Sequence, residues 1–107
     1  MYISIDLGGT NIRGTWITSA GQYGEVILHP RPRTLDGTKD SLINLVRDLR
    51  TKAPEPALGI GLATAGPLDH RKRMYLTTTN MPELDYFRVG EFLEKEFSLP
   101  VRMENDA

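Results

Sequence analysis

A glycine-rich stretch near the N-terminus, Asp6-Leu7-Gly8-Gly9-Thr10-Asn11, contains the first residues that could do chemistry. Two residues without a Cβ let successive backbone N–H groups converge on an anion, and the Thr10 hydroxyl adds a donor. Asp6, at the end of a predicted strand, could hold a Mg²⁺ ion through water beside phosphate groups. A hairpin turn that needs glycine for its backbone dihedrals explains the same residues equally well. Both interpretations stand on these residues alone.

The glycine-rich stretch differs from the phosphate loops of P-loop and dinucleotide-binding proteins. Those loops lead from a strand into a helix, so the phosphate lies at a helix N-terminus. Here the residues after the glycines, Ile12 to Thr18, alternate as a second strand would. The stretch therefore predicts a hairpin between two strands.

Two further stretches place polar groups after apolar runs. Gly61-Leu62-Ala63-Thr64-Ala65-Gly66-Pro67-Leu68-Asp69 reads as a strand that ends in a Gly-Pro turn, at the sheet edge where α/β proteins bind ligands. In Thr77-Thr78-Thr79-Asn80-Met81-Pro82, the Asn80 amide could bind a ligand hydroxyl or satisfy its own turn. An ordinary turn is the simpler interpretation of each stretch alone.

The chain closes on Asn105-Asp106-Ala107, directly after a short apolar strand. A carboxylate at the carboxyl end of a strand, in a partly desolvated cleft, can act as general base toward a hydroxyl. A neighbouring amide can orient the same hydroxyl-rich substrate. A terminal aspartate is more often simply exposed and mobile, so this motif alone decides nothing.

Composition and charge exclude several classes of protein. The formal net charge of −1 predicts no nucleic-acid partner, and no apolar run is long enough to cross a membrane. The chain contains no cysteine and so offers neither a disulfide nor a thiolate metal site. We expect a cytoplasmic location. Two basic clusters, Arg31 to Arg33 and Arg71 to Arg73, are predicted to be solvated loops.

Hydrophobic periodicity supplies the elements that must position these residues. Three strands, at Tyr2 to Leu7, Ile12 to Thr18 and Tyr23 to Leu28, predict an antiparallel meander. The remaining elements are a helix at Lys39 to Lys52 capped by Thr38, a buried strand at Ala57 to Ala63, a short strand at Met74 to Thr78, a helix at Arg88 to Phe97 capped by Asp85, and a strand at Val101 to Met103. This order predicts one α/β domain over residues 1–107, with a mixed sheet of about five or six strands and helices packed on it.

In combination, these stretches resemble the N-terminal lobe of the ROK family (repressors, open reading frames and sugar kinases). Asp6 to Gly14 is similar to the family's first phosphate motif, and Gly59 to Asp69 to its glycine-rich turn on the sugar side. Thr79-Asn80-Met81-Pro82 resembles its Asn-Leu-Pro loop, and Leu99 to Ala107 its Glu-Asn-Asp-Ala motif. The order and approximate spacing agree across essentially the whole chain.

The resemblance implies a ribonuclease-H-like N-terminal lobe of the actin, Hsp70 and hexokinase-like superfamily. It also implies ATP-dependent phosphorylation of a hexose-type sugar, most often glucose at its 6-hydroxyl, and hence a glucokinase-like enzyme of carbohydrate metabolism. The implied cofactors are ATP and Mg²⁺. We expect the full-length protein to form a homo-oligomer.

The same resemblance assigns a role to each candidate residue. It makes Asp106 the base that accepts the proton of the attacking hydroxyl. Three other residues would bind the sugar, and these are Gly66 through its backbone, Asn80 and Asn105. The ATP phosphates would lie against Gly8, Gly9, Thr10 and Asn11, with Asp6 near the Mg²⁺ through water. Arg13 would either add positive charge near the phosphates or point into solvent, and strand alternation allows both.

The chain departs from the family pattern at three places and lacks a second lobe. Thr64-Ala65-Gly66 stands where the family more often has proline before the glycine, and Thr79 and Glu83 stand where proline and glycine are frequent. Family members carry a second phosphate motif, the adenine pocket and commonly a zinc site in a C-terminal lobe, which is missing from this chain. We therefore expect the isolated 107-residue lobe to be inactive.

Two other functions remain open for the sequence. A sugar-sensing ROK transcriptional regulator usually carries a DNA-binding helix-turn-helix before the first phosphate strand, and here Met1 directly precedes that strand, so we expect none. A non-catalytic lobe that only binds sugar, or its own C-terminal lobe, is the other alternative.

Overall fold

A five-stranded mixed sheet organises the fold in the computed structural model, which describes residues 1–78 and 80–105. In chain order the elements are β1 (Tyr2–Leu7), β2 (Asn11–Ile17), β3 (Ile27–Pro30), α1 (Leu35–Lys52), β4 (Gly59–Thr64), β5 (Leu68–Asp69), β6 (Met74–Tyr75), a 3₁₀ helix (Pro82–Leu84), α2 (Val89–Phe97) and β7 (Val101–Asn105). The strand order is β3-β2-β1-β4-β7, while β5 and β6 pair separately.

Strand directions in the sheet agree with the predicted mixture of antiparallel and parallel pairing. β1, β2 and β3 form the antiparallel meander, whereas β4 pairs parallel with both β1 and β7. The α/β fold class and the mixed sheet are therefore confirmed. The short β5–β6 pair was not predicted as a hairpin, because each of its strands has only two residues.

One face of the sheet supplies the core because apolar side chains alternate along β1. Ile3, Ile5 and Leu7 are buried, while Tyr2 on the other face is exposed. Helix α1 covers the buried face with four leucine and valine side chains that are fully inaccessible, Leu42, Leu45, Val46 and Leu49. Among the described residues, no helix is long and apolar enough to cross a membrane.

Helix α1 begins four residues before the predicted start, so Thr38 is not its N-cap. The cap is Thr34, whose side-chain oxygen accepts a hydrogen bond from the Gly37 backbone N–H at 3.0 Å. Both threonines are acceptable N-caps, and Gly37 lowers the helix propensity of the first turn that Thr34 caps. The glycine is there for packing, because a Cβ at this position would lie 2.6 Å from the Pro32 Cβ.

The third strand is shifted along the chain relative to the prediction of Tyr23 to Leu28. Tyr23 makes only an isolated bridge to Ile17, and the continuous strand starts at Ile27. Gly24 lies against the Trp16 indole, where a Cβ would come within 2.2 Å of Nε1. A side chain at position 24 would therefore clash with the indole, and the continuous strand begins only at Ile27.

Helix α2 starts close to its predicted position, but Asp85 does not cap it. The N-cap position is Arg88, and Asp85 instead accepts a hydrogen bond from the Thr78 backbone N–H at 2.8 Å. The helix is tied to the sheet by an ion pair between Arg73 and Glu94, with Nη2 2.6 Å from Oε1. The second basic cluster is therefore not wholly solvated, since Arg73 is partly buried by this contact.

Candidate functional site

The carboxyl ends of three parallel strands meet at one edge of the sheet. Leu7 at the end of β1 pairs with Thr64 at the end of β4, and Thr64 in turn pairs with Asn105 at the end of β7. This is the edge at which α/β sheets commonly bind ligands. A cleft of about 560 Å³ lies there, and it is lined by Gly9, Thr10, Arg31, Arg33, Ala65, Asn80, Met81, Pro82 and Glu83.

The turn between β1 and β2 forms one wall of this cleft. The Gly8 backbone N–H donates to the Asn11 carbonyl at 2.9 Å, which closes the turn. Gly9 and Thr10 at its tip are exposed to the cleft. A Cβ built on Gly9 would lie 3.9 Å from the Asn80 backbone oxygen, so the turn faces the loop that carries Asn80. Two of the predicted motifs thus line the same cleft.

The loop that carries Asn80 is anchored on the side that continues toward α2. Met81 is buried, and its backbone N–H donates to the Thr78 hydroxyl at 3.1 Å. Thr78 is tied in turn to Asp85, as described above. Asn80 itself remains exposed between these anchors. Asn80 therefore lines the cleft directly beside the buried Met81.

A buried hydroxyl pair connects the strands beneath the cleft. The Thr64 hydroxyl donates to the Leu7 carbonyl at 3.0 Å and lies 2.7 Å from the Tyr75 hydroxyl. Thr64 and Tyr75 are both fully buried. These bonds join the ends of β1 and β4 to β6, and they fix the sheet edge on which the cleft rests.

Arg31 is the main functional candidate that the sequence prediction missed. The cluster from Arg31 to Arg33 was predicted to be a solvated loop, but the Arg31 side chain is 1% exposed. Its Nε donates to the carbonyl oxygens of Gly8 and Gly9 at 2.9 and 3.0 Å, and its backbone N–H donates to the Thr10 carbonyl. The prediction was wrong for Arg31 because β3 extends to Pro30, so that Arg31 follows the strand directly and lies at the cleft.

Glu83 completes the charge arrangement around Arg31. The Arg31 Nη2 lies 2.6 Å from the Glu83 Oε1, so the two side chains form an ion pair. The angles between these atoms do not meet the geometry of a hydrogen bond. The Glu83 backbone N–H and the positive charges of Arg31 and Arg33 hold the pKa of this carboxyl below its ordinary value, although partial burial opposes them. Glu83 is therefore ionised near neutral pH, and its negative charge balances one of the two arginines, which leaves a net positive charge.

The structure separates some predicted residues from those that line the cleft. Asp6 and Arg13 face each other across β1 and β2 and line a shallow hollow of about 130 Å³ on the open face of the sheet. Arg13 is exposed, which agrees with the solvent alternative. Gly66 follows the cleft residue Ala65 and is joined to Pro67 by a cis peptide bond.

The remaining predicted site residues are Asn11, Asn105 and Asp106. Asn11 is half-buried at the start of β2. Asn105 belongs to β7 at the cleft edge, and only its backbone is described. Asp106, the predicted base, lies outside the described residues.

The residues at the turn suit a phosphate group better than they suit a metal ion. Arg31 engages the carbonyl oxygens of Gly8 and Gly9, which would otherwise repel an anion, and Arg33 adds an exposed positive charge. Within residues 1–78 and 80–105, no group of three His, Asp or Glu side chains is placed to hold a metal. Asp6 could contribute at most one carboxylate, which fits a Mg²⁺ bound mainly through water and phosphate.

The sequence of this chain matches a known protein family. The model of the ROK family matches residues 2–107. The chain belongs to the ROK family. Among curated ROK relatives, the glucokinase of Halalkalibacterium halodurans is 29% identical over 99% of this chain and 33% of its own length. The glucokinase of Streptomyces coelicolor is 28% identical over the whole chain and 33% of its own length. The chain therefore spans about a third of the length of these relatives.

Solved ROK structures share the fold. The ROK hexokinase from Thermus thermophilus superposes with a TM-score of 0.88 at 28% identity, covering 99% of this chain and 35% of that one. A ROK family transcriptional regulator, a homolog of the E. coli MLC protein, superposes with a TM-score of 0.82 at 16% identity, covering 98% of this chain and 27% of that one. The actin-like N-terminal lobe fold is confirmed, but its presence in a regulator means that the fold alone does not establish catalysis.

Proposed function

We propose that the protein containing this chain is an ATP-dependent hexose kinase with glucose as the leading substrate. The observation that carries the proposal is the meeting of two motifs in one cleft, where Gly9 of the turn lies beside the backbone of Asn80. Membership of the ROK family and the glucokinase relatives support the same reaction. The chain would form the N-terminal lobe, with the active site between it and a C-terminal lobe.

At the nucleotide end of the cleft, the turn residues would bind phosphate oxygens. Gly9 and Asn11 would offer a backbone N–H or an amide, and the Thr10 hydroxyl adds a donor at the exposed tip. Gly8, whose own N–H donates to the Asn11 carbonyl, would let the phosphate approach the backbone closely. Asp6 would hold Mg²⁺ through water, and Arg13 is the weakest of these assignments because it is exposed in the neighbouring hollow. ATP, when bound, supplies the phosphoryl group and the metal neutralises its charge.

At the sugar end, three residues would orient the substrate. Asn80 and Asn105 would bind ring hydroxyls, and Gly66 would contribute its backbone. Asp106, which directly follows Asn105, would accept the proton of the attacking sugar hydroxyl. The sugar oxygen would bond to the γ-phosphorus of ATP as the bond from that phosphorus to the bridging oxygen breaks and ADP leaves. Aligning that hydroxyl in a water-excluded cleft is the larger part of the catalytic task.

The decisive experiment measures ADP formation by the full-length protein with and without glucose. We expect release of ADP that depends on the sugar, and Asp106→Asn should lower kcat by about 10²–10⁴-fold while leaving folding unchanged. N-acetylglucosamine, N-acetylmannosamine, mannose and fructose in parallel would define the sugar. Wild-type kinetics in the Asp106→Asn variant would refute the base assignment.

The same assay distinguishes the other functions. A sugar-binding regulator or a non-catalytic lobe would bind glucose in a calorimeter but release no ADP. The isolated chain of residues 1–107 should be inactive and bind sugar weakly, because one wall of the cleft is missing. We further propose a cytoplasmic enzyme that forms a homo-oligomer; any zinc site would lie in the C-terminal lobe.

A further inference from the structure

We propose that the ion pair between Arg31 and Glu83 positions the phosphate-binding turn against the sugar-binding loop and so couples the two ends of the cleft. The inference rests on the kinase function proposed above. It makes both side chains positioning residues, because neither is assigned a contact with the reacting atoms.

On the turn side, one guanidinium fixes the backbone at several points. Arg31 Nε reaches the carbonyls of Gly8 and Gly9, and Nη1 donates to the Pro32 carbonyl and the Thr38 hydroxyl, both at 3.2 Å. Glycine backbones are the most mobile in an unrestrained chain, so a turn with two of them needs such external bonds to hold one conformation. Arg31 therefore sets the position of the tip at Thr10.

On the loop side, Glu83 lies three residues after Asn80 and belongs to the short 3₁₀ helix. Met81, between them, is buried, so the loop cannot swing freely about its own backbone. Only Met81 and Pro82 separate Glu83 from Asn80, so we expect a shift of the backbone at Glu83 to carry Asn80 with it. The contact between Arg31 and Glu83 links this segment to the turn across the cleft that both line.

Burial makes this ion pair more consequential than a surface pair. The Arg31 side chain is 1% exposed and that of Glu83 is 21% exposed. An arginine remains charged in proteins, so removing the carboxylate would leave a buried cation with only carbonyl and hydroxyl partners. We expect the guanidinium to move toward water and to pull the glycine turn with it.

Steady-state kinetics of the full-length protein test the coupling, with glucose and ATP varied independently. Glu83→Gln keeps the shape of the side chain and removes its charge. Because a misplacement of about 1 Å can cost about 100-fold in rate, we expect the KM for both substrates to rise about tenfold or more, with a lower kcat. Arg31→Lys should behave similarly, since a single ammonium cannot replace the forked contacts.

A matched control comes from the other partly buried arginine–glutamate pair. Arg73, in the turn before β6, and Glu94 of α2 form contacts of 2.5 and 2.6 Å, and neither residue lines the cleft. Glu94→Gln should change the melting temperature without changing either KM. Equal kinetic effects of Glu94→Gln and Glu83→Gln would show general destabilisation and overturn the inference.

The outcomes separate this inference from the proposed function. If the wild-type protein forms no ADP with any sugar, the kinase proposal falls and the coupling falls with it. If the wild type is active but Glu83→Gln and Arg31→Lys leave both KM values within about twofold, only the coupling is wrong. Should one variant fail to fold, the other still decides.

Discussion

Thr64 shows how a single side chain supports the cleft without lining it. Its hydroxyl is fully buried and bridges the Leu7 carbonyl and the Tyr75 hydroxyl. A buried polar group of this kind stabilises only while its partners are in place. The strand ends that carry the turn and the cleft edge are held together by these two bonds.

Replacing Thr64 with valine should therefore destabilise the protein while preserving the shape of the side chain. Losing two hydrogen bonds predicts a decrease of about 1–3 kcal/mol in the free energy of unfolding. Urea unfolding of the 107-residue chain measures it. The matched control is Thr77→Val, because Thr77 is exposed and its replacement should change stability by less than about 0.5 kcal/mol. Equal stability of the two variants would show that the buried bonds contribute nothing net.

Individual residues also show where sequence reasoning stops. The alternation of Ile3, Ile5 and Leu7 was sufficient to predict which face of β1 is buried. Arg31 could not be predicted in the same way, because an arginine between two prolines looks like a surface loop. Its burial depends on two glycine carbonyls and on Glu83, which lies 52 positions along the chain and has no signal in local sequence.

At the scale of secondary-structure elements, α1 packs closely against β2. A Cβ built on Gly14 would lie 3.0 Å from the Leu49 Cδ1 and 3.1 Å from the Ser4 carbonyl oxygen. The leucine side chain could shift, but the carbonyl belongs to the β1 backbone and cannot. The helix therefore lies close to the sheet only because this position lacks a side chain.

We expect Gly14→Ala to lower the free energy of unfolding by about 1–3 kcal/mol, the usual cost of overpacking. Gly61→Ala is the matched control, since a Cβ there would meet only the Ile3 carbonyl oxygen at 4.0 Å. The control should be neutral or slightly stabilising in the 107-residue chain. Thermal unfolding of both variants provides the comparison. A Gly14→Ala variant as stable as Gly61→Ala would contradict the close approach.

Element type was predictable, whereas element boundaries depended on tertiary contacts. Periodicity identified β1, β2, β4, both α-helices and β7 correctly. The predicted start of α1 was wrong near Gly37, which packs against Pro32. The predicted third strand was wrong near Gly24, which packs against Trp16. Both contacts join residues that are close in sequence, but hydrophobic periodicity does not report how their side chains pack.

The whole molecule presents its cleft on an open side. Three residues that line the cleft remain exposed, namely Gly9, Thr10 and Asn80. The chain spans about a third of the length of the curated relatives it matches. Phosphoryl transfer needs a site from which water is excluded. The open cleft supports the proposal that a second lobe would complete the site.

The assignment of a phosphate end and a sugar end to the cleft is tested most directly by steady-state kinetics of the full-length protein. The KM values for ATP and for glucose are measured separately in the Thr10→Val and Asn80→Ala variants. Each substitution removes about one hydrogen bond to one substrate, worth about tenfold in affinity. We predict that Thr10→Val raises mainly the KM for ATP, while Asn80→Ala raises mainly the KM for glucose. If both variants raise the same KM, or neither KM changes, the assignment of a phosphate end and a sugar end to this cleft is wrong.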